Sequence, residues 1–173
     1  MNHSAKYSEG TDLGWDYSKY DVRMNSQLTI AAYLSLIDLA KAHGYAAEDL
    51  HTMRMMLYDI VHPFLDFNGT LIQAFNMNTS GNSLTVIINS IVGSYLVRMG
   101  FFHVYPEKLN FRDFVAALTY GDDFKGSVKP ECADFNFASY RDFLALFGMK
   151  ITHPDKTTEA SAFLSEDALD FLK

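Results

Sequence analysis

The spacing of apolar and polar residues changes several times along the 173-residue chain. Leu13-Gly14-Trp15-Asp16-Tyr17 reads as a short strand running into a turn at Ser18-Lys19. Asn25 or Ser26 can cap a helix that reaches about His43, with Gly44 closing it. A second helix is expected over 48–60, its stripe of Met53, Met56, Leu57 and Ile60 reading as core rather than as a binding groove. Then the period falls to two. Residues 64–67 and 70–75 flank Asn68-Gly69, which supplies the positive φ angles of a tight hairpin turn. A polar loop over 76–81 leads into a long helix with Leu84, Ile87, Ile88, Ile91, Val92 and Tyr95 on its apolar side. Residues 114–119 read as a buried strand and 124–128 as its return, joined by Tyr120-Gly121-Asp122-Asp123. Tyr140, Phe143, Leu144 and Phe147 mark a further helix stopped at Gly148. Short strand-like pieces follow at 149–152, 162–164 and 169–172. This interleaving predicts an α+β fold, helices packed on a small sheet, with no domain boundary within 1–173.

Composition narrows the picture. Hydrophobic residues make up 49% of the chain and aromatics 14%, enough for one soluble domain with a real core. Fourteen basic against 21 acidic side chains leave a net charge of −7. Residues 1–80 carry 5 basic and 9 acidic groups, 81–130 carry 5 and 4, and 131–173 carry 4 and 8. Such a chain does not hold nucleic acid by bulk charge, so an anionic ligand needs metal ions or basic parts supplied from elsewhere. The single cysteine, Cys132, excludes an internal disulfide and a multi-cysteine zinc site. Residues 1–14 are polar, so no signal peptide is expected. The apolar stretch 84–102 is broken by Asn89, Ser90, Ser94 and Arg98 and reads as a buried helix rather than a membrane span, with cytosol as the default. There is no Gly-x-x-x-x-Gly-Lys loop, Ser80 lacks a Gly-x-Ser-x-Gly setting, and the six histidines show no paired metal spacing.

Three segments carry candidate chemistry. Asp122 and Asp123 set two repelling carboxylates at the tip of an apolar hairpin, where a hard cation such as Mg²⁺ would neutralise them. Asp16 and Asp21 are a second acidic pair. If the strand of Asp16 neighbours the Asp122 hairpin, three carboxylates share an edge and could hold two metal ions about 3.5–4 Å apart, as in-line phosphoryl transfer requires. The alternative is a set of solvated aspartates with no common ligand. In the third segment, Gly81 permits unusual backbone geometry at a helix entrance, while Thr85 and Asn89 share one helix face. The alternative there is that Ser80 caps the helix and Asn89 bonds to core backbone.

Taken in order, these pieces resemble the palm of viral RNA-dependent RNA polymerases, most closely those of picornavirus-like positive-strand viruses. Asp16-Tyr17-Ser18-Lys19-Tyr20-Asp21 is similar to the first palm motif, and Ser80-Gly81, Thr85 and Asn89 to the second. Tyr120-Gly121-Asp122-Asp123 resembles the third, the run from Phe147 to Lys156 the fourth, and Phe171-Leu172-Lys173 the start of the fifth. The resemblance implies an α+β palm with a small antiparallel sheet and a hairpin insertion at about 61–77. It implies RNA-templated RNA synthesis, with two Mg²⁺ ions (Mn²⁺ as an alternative) on Asp16, Asp122, Asp123 and the Tyr17 carbonyl. Asp21, Thr85 and Asn89 would read the ribose 2′-hydroxyl, the Ser80-Gly81 loop would bend with substrate entry, Lys156 would protonate pyrophosphate, and Lys173 would touch the primer. Implied partners are RNA template and primer, ribonucleoside triphosphates, the fingers and thumb of the same polyprotein, a protein primer and other viral replication proteins. The implied location is the host cytoplasm, in membrane-associated replication complexes. The basic fingers and the thumb are missing, so a piece of a polyprotein, inactive alone, is expected. A reverse transcriptase palm, and a silent acidic palm-like module binding cations or a protein, are the rival readings.

Overall fold

The computed structural model describes residues 3–8, 10–78, 81–154 and 161–165. In chain order the regular elements are β1 (Asp12–Tyr17), α1 (Tyr20–Arg23), α2 (Ser26–Ala42), α3 (Ala47–Val61), β2 (Phe64–Phe67), β3 (Thr70–Gln73), α4 (Thr85–Val104), β4 (Val115–Tyr120), β5 (Asp123–Val128), α5 (Phe137–Ala145) and β6 (Ile151–Thr152). They fall into two compact units, one of residues 1–18 with 93–173 and one of residues 19–92.

The first unit is built on a four-stranded antiparallel sheet in the order β4-β5-β1-β6. Strand β1 runs beside β5 from Asp12↔Ser127 to Trp15↔Phe124, and beside β6 at Asp16↔Thr152 and Tyr17↔Ile151. Successive strand residues face opposite ways, so Trp15 and Tyr17 share one face and Asp16 takes the other. Trp15 stacks on Phe124 with centroids 3.9 Å apart and lies 4.3 Å from the ring of Tyr140 on α5. The α5 helix starts at a capping box in which Asn136 and Ser139 satisfy each other's backbone N–H groups. Gly100 lets α4 approach α5: a Cβ there would lie 2.6 Å from a Tyr140 ring carbon.

The second unit pairs α2 with α3 and carries the β2–β3 hairpin. Asn25 caps α2 by accepting from the Gln27 N–H, and Gly44 at φ +82° follows its end. Asn68 (φ 52°) and Gly69 (φ 83°) make the hairpin turn with both central residues in the left-handed region, as expected from Asn-Gly. Every residue of β2 and β3 is exposed.

Several elements depart from the pattern read in the sequence. The core face of α3 is Leu50, Leu57 and Val61, whereas Met56 is 55% exposed. Met53 and Met56 line an apolar cavity of about 100 Å³ together with Tyr33, Leu36, Ile37 and Ile60, so the methionine stripe borders a hollow instead of filling the core. The buried residues of α4 include Thr85, Ile88, Asn89, Val92, Leu96 and Phe101, while Val86 and Ile87 are exposed. This helix is apolar nearly all round, so its sequence marks no single face. By length and composition it could cross a membrane, yet half of its most apolar window is buried within the protein. The last helix stops short of its expected end: α5 runs from Phe137 to Ala145, and the chain reaches Gly148 (φ 68°) through a turn. Of the late strand pieces, two residues form β6 and Leu164 makes one bridge to Asp12, while 169–172 lies outside the described residues.

Candidate active site

The first unit gathers acidic residues at one end of its sheet. Tyr120↔Asp123 is the last β4–β5 pair, leaving Gly121 and Asp122 as a two-residue turn. Gly121 takes φ 61° and Asp122 stays at negative φ, the pattern of a type II′ hairpin turn. Asp122 is exposed and Asp123 half-buried. On β1 the recorded pairing with β5 stops at Trp15↔Phe124, and the next residues along the two strands are Asp16 and Asp123. The sheet therefore delivers Asp16 to the strand end that carries the Asp122-Asp123 turn. Asp16 is the one exposed residue of β1.

Its neighbours are locked. Trp15 is held in the aromatic stack, and the Tyr17 hydroxyl lies 2.6 Å from that of Tyr140. Burial raises the Tyr17 pKa to about 12, partly countered by the bond to Tyr140. The phenol is neutral at every physiological pH and works as an anchor, fixing the strand on both sides of Asp16.

The second unit assembles the other candidates. Asn89, 5% exposed, donates from Nδ2 to Asp21 Oδ1 at 2.7 Å. Tyr20 Oη donates to the Asn89 carbonyl at 3.1 Å, and Asn78 Nδ2 donates to Asn89 Oδ1 at 2.8 Å. Among the described residues, the Asn89 amide thus bonds to the Asp21 and Asn78 side chains. Thr85, 8% exposed, sits one turn before Asn89 on the same face of α4. The loop before α4 is tied down by residues with no motif signal. Asn76 N–H donates to Ser26 Oγ at 2.9 Å while Ser26 N–H donates to Asn76 Oδ1 at 3.1 Å, and Asn78 N–H donates to the Asp21 carbonyl at 2.8 Å. Asn82 accepts from the Leu84 N–H at 2.9 Å and donates to Tyr33 Oη at 3.2 Å, and so takes a capping role at the entrance to α4. Alternating asparagines in a polar loop are the only sequence trace of these tethers.

Gly81 is not in the left-handed region, and a Cβ there would meet nothing within 4 Å. At the α4 entrance the side-chain cap comes from Asn82. Ser80, Lys156 and Lys173 lie outside the described residues. Cys132 is buried, which raises its pKa and keeps the thiol protonated.

A family profile described as viral RNA-dependent RNA polymerase matches residues 3–173. The chain belongs to that family. It is 34% identical over its full length to the RNA1 polyprotein of Beet ringspot virus, of which it spans 8%. It is 30% identical over its full length to the RNA1 polyprotein of Grapevine chrome mosaic virus and 25% identical, over 91% of the chain, to that of Satsuma dwarf virus, again spanning 8% of each. The mixed helices and antiparallel sheet are those of an α+β polymerase palm fragment.

Polymerases of this family use divalent cations. Among the described residues, no group of three or more His, Cys, Asp or Glu is placed to hold an ion. Mg²⁺ seldom needs such a cage: it keeps several waters and binds through one or two carboxylates plus substrate phosphates. An exposed Asp16 and an exposed Asp122 at one strand end offer hard oxygen donors open to solvent. That donor set fits Mg²⁺.

Proposed function

We propose that this chain carries the nucleotidyl-transfer centre of an RNA-directed RNA polymerase, which joins ribonucleoside triphosphates to a primer 3′-hydroxyl under direction of an RNA template. The observation that carries the reading is the register of β1 on β5, which brings Asp16 to the strand end of the Asp122-Asp123 turn. Asp16 and Asp122 would hold two Mg²⁺ ions (or Mn²⁺), with Asp123 and the Tyr17 carbonyl assisting. The chemistry supplied at these residues would be Lewis acidity towards the attacking 3′-hydroxyl and charge neutralisation at the leaving pyrophosphate.

The remaining steps belong to side chains. Asp21, Thr85 and Asn89 read the ribose 2′-hydroxyl, and a deoxynucleotide leaves these polar groups short of a partner. The Asn89–Asp21 bond supports this over a reverse transcriptase reading. The Ser80-Gly81 loop bends as substrate enters, Lys156 gives a proton to pyrophosphate, and Lys173 meets the primer backbone. With a net charge of −7, the chain depends on basic fingers and a thumb of the same polyprotein to hold template, primer and triphosphate. A protein primer, other replication proteins and a membrane-associated site in the host cytoplasm complete the setting.

The test is template-dependent incorporation by the complete polymerase that contains this chain. Asp16→Ala and Asp122→Ala should each cut incorporation at least about a thousandfold, several kcal/mol of lost charge stabilisation, with thermal stability retained. Near-normal incorporation by either variant would support the silent-module reading instead.

A further inference from the structure

Three side chains of the second unit form a hydrogen-bond relay whose sense is fixed by its acidic end. A carboxylate accepts and never donates, so Asn89 has to present N–H to Asp21, and its Nδ2 lies 2.7 Å from Oδ1. The Asn89 oxygen then faces the opposite way. Whatever meets it there has to donate, and Asn78 Nδ2 does so at 2.8 Å. Asn78 grips the relay at a second point, its backbone N–H donating to the Asp21 carbonyl at 2.8 Å. Both ends of the Asp21–Asn89 pair are therefore held by one residue.

That residue is costly to keep. Asn78 is 1% exposed, and its Oδ1 has no hydrogen-bond partner among the described residues. Burying an amide oxygen without a partner is unfavourable, and an apolar side chain of similar size would avoid the penalty. What an apolar side chain lacks is the donor that Asn89 requires. We propose that Asn78 is a positioning residue for ribose selection: by donating to Asn89 Oδ1 it keeps the Asn89 amide in the one orientation that orders the Asp21 carboxylate. Asn78 does not touch the nucleotide. It acts through Asn89, and the proposal rests on the reading that Asp21 and Asn89 recognise the 2′-hydroxyl.

The relay predicts a particular pattern of substitutions. Asn78→Leu keeps the volume and removes the donor, leaving the Asn89 amide held from the Asp21 end alone and its oxygen without the bond that Asn78 supplies. Asn78→Asp sets an acceptor against each end of Asn89, so one bond is broken whichever way the amide turns. In an Asp21→Asn background the conflict disappears, because the whole relay can run in reverse. The amide introduced at position 21 then donates to Asn89, and Asn89 donates to the carboxylate introduced at position 78.

Two measurements on the complete polymerase test this. In the first, kcat/KM is measured for ribo- and deoxynucleotides with wild type, Asn89→Ala, Asn78→Leu and, in case the leucine variant folds poorly, Asn78→Ala. The expected result is a roughly tenfold fall in ribo-over-deoxy preference for the Asn78 variants, carried by the ribonucleotide, which is the scale of one hydrogen bond. A merely structural residue would lower both efficiencies equally, and that result would overturn the proposal. If Asn89→Ala shifts the preference and the Asn78 variants do not, the proposal fails while the site reading stands. If neither shifts it, both fail. In the second, thermal unfolding compares Asn78→Asp alone and with Asp21→Asn. A lower Tm in the single variant, recovered in the double variant, is expected, and no recovery would contradict the fixed sense of the relay.

Discussion

The two compact units hold their polar groups in opposite ways. In the first, Asp16 and Asp122 are exposed at the end of a sheet, and what holds them is aromatic: Trp15 stacked on Phe124, and Tyr17 bonded to Tyr140. In the second, Asn78 and Asn89 are buried, and what holds them is polar: a directed relay ending on Asp21. Under the proposed function, the difference follows from what each group would have to meet. A carboxylate that receives a hydrated divalent ion must stay accessible to solvent and phosphate, so its precision comes from the strand beneath it. A group that reads one hydroxyl needs a fixed direction, which buried amides bonded to each other supply.

The largest effect on stability should come from the aromatic support. Trp15→Ala removes a side chain 2% exposed and should cost about 3–5 kcal/mol in denaturant unfolding. Trp15→Phe should keep much of that stability. Loss of less than about 1 kcal/mol in the alanine variant would break the contrast drawn between the units.

The Tyr17 anchor comes next, and its signature is a pH dependence. Because the folded pKa is about 12 against 10.0 ordinarily, the folded state favours the neutral phenol. The stability this gives is whole below about pH 10 and is lost as the pH rises towards about 12, an effect of about 3 kcal/mol. Unfolding measured between pH 9 and 12 should show that decline in the wild type. Tyr17→Phe should lack this component, leaving only the slope of the other tyrosines and lysines.

The smallest effect should be at Gly81. With open space around its missing Cβ and no left-handed φ, Gly81→Ala should change stability by no more than about 0.5 kcal/mol. Slower incorporation at unchanged stability would place the need for glycine in the bending of the loop during substrate entry.

What could be read from the sequence was whatever local pattern dictates. Asn68-Gly69 between alternating apolar runs specified the β2–β3 hairpin, and Asn25 and Gly44 bracketed α2. Gly121 in the Tyr120–Asp123 turn marked the β4–β5 hairpin in the same way. Asp16, Asp122, Asp21 and Asn89 were singled out by the motif resemblance, and the structure sets Asp16 at the strand end of Asp122 and bonds Asn89 to Asp21. Other features depend on partners far along the chain and left no local trace. Tyr20–Arg23 is too short to show a helical period, and Tyr20 is anchored through a bond to the Asn89 carbonyl 69 residues away. The α4 helix is apolar on nearly every side, so only tertiary packing decides that Thr85, Ile88 and Asn89 turn inward while Ile87 does not. Asn78 looked like one polar loop residue among several, and its place in the relay exists only once Asp21 and Asn89 meet.

In the proposed division of labour, exposed acids perform the transfer while a separate buried network chooses the sugar. Primer extension by the complete polymerase with ribo- and deoxynucleotides, comparing Asp122→Ala with Asn89→Ala, tests it most directly. Asp122→Ala should abolish extension with both sugars. Asn89→Ala should retain extension and lower the ribonucleotide preference roughly tenfold, consistent with one lost hydrogen bond. If Asp122→Ala changed only the sugar preference, or Asn89→Ala slowed both substrates equally with no change of preference, the division of labour would be contradicted.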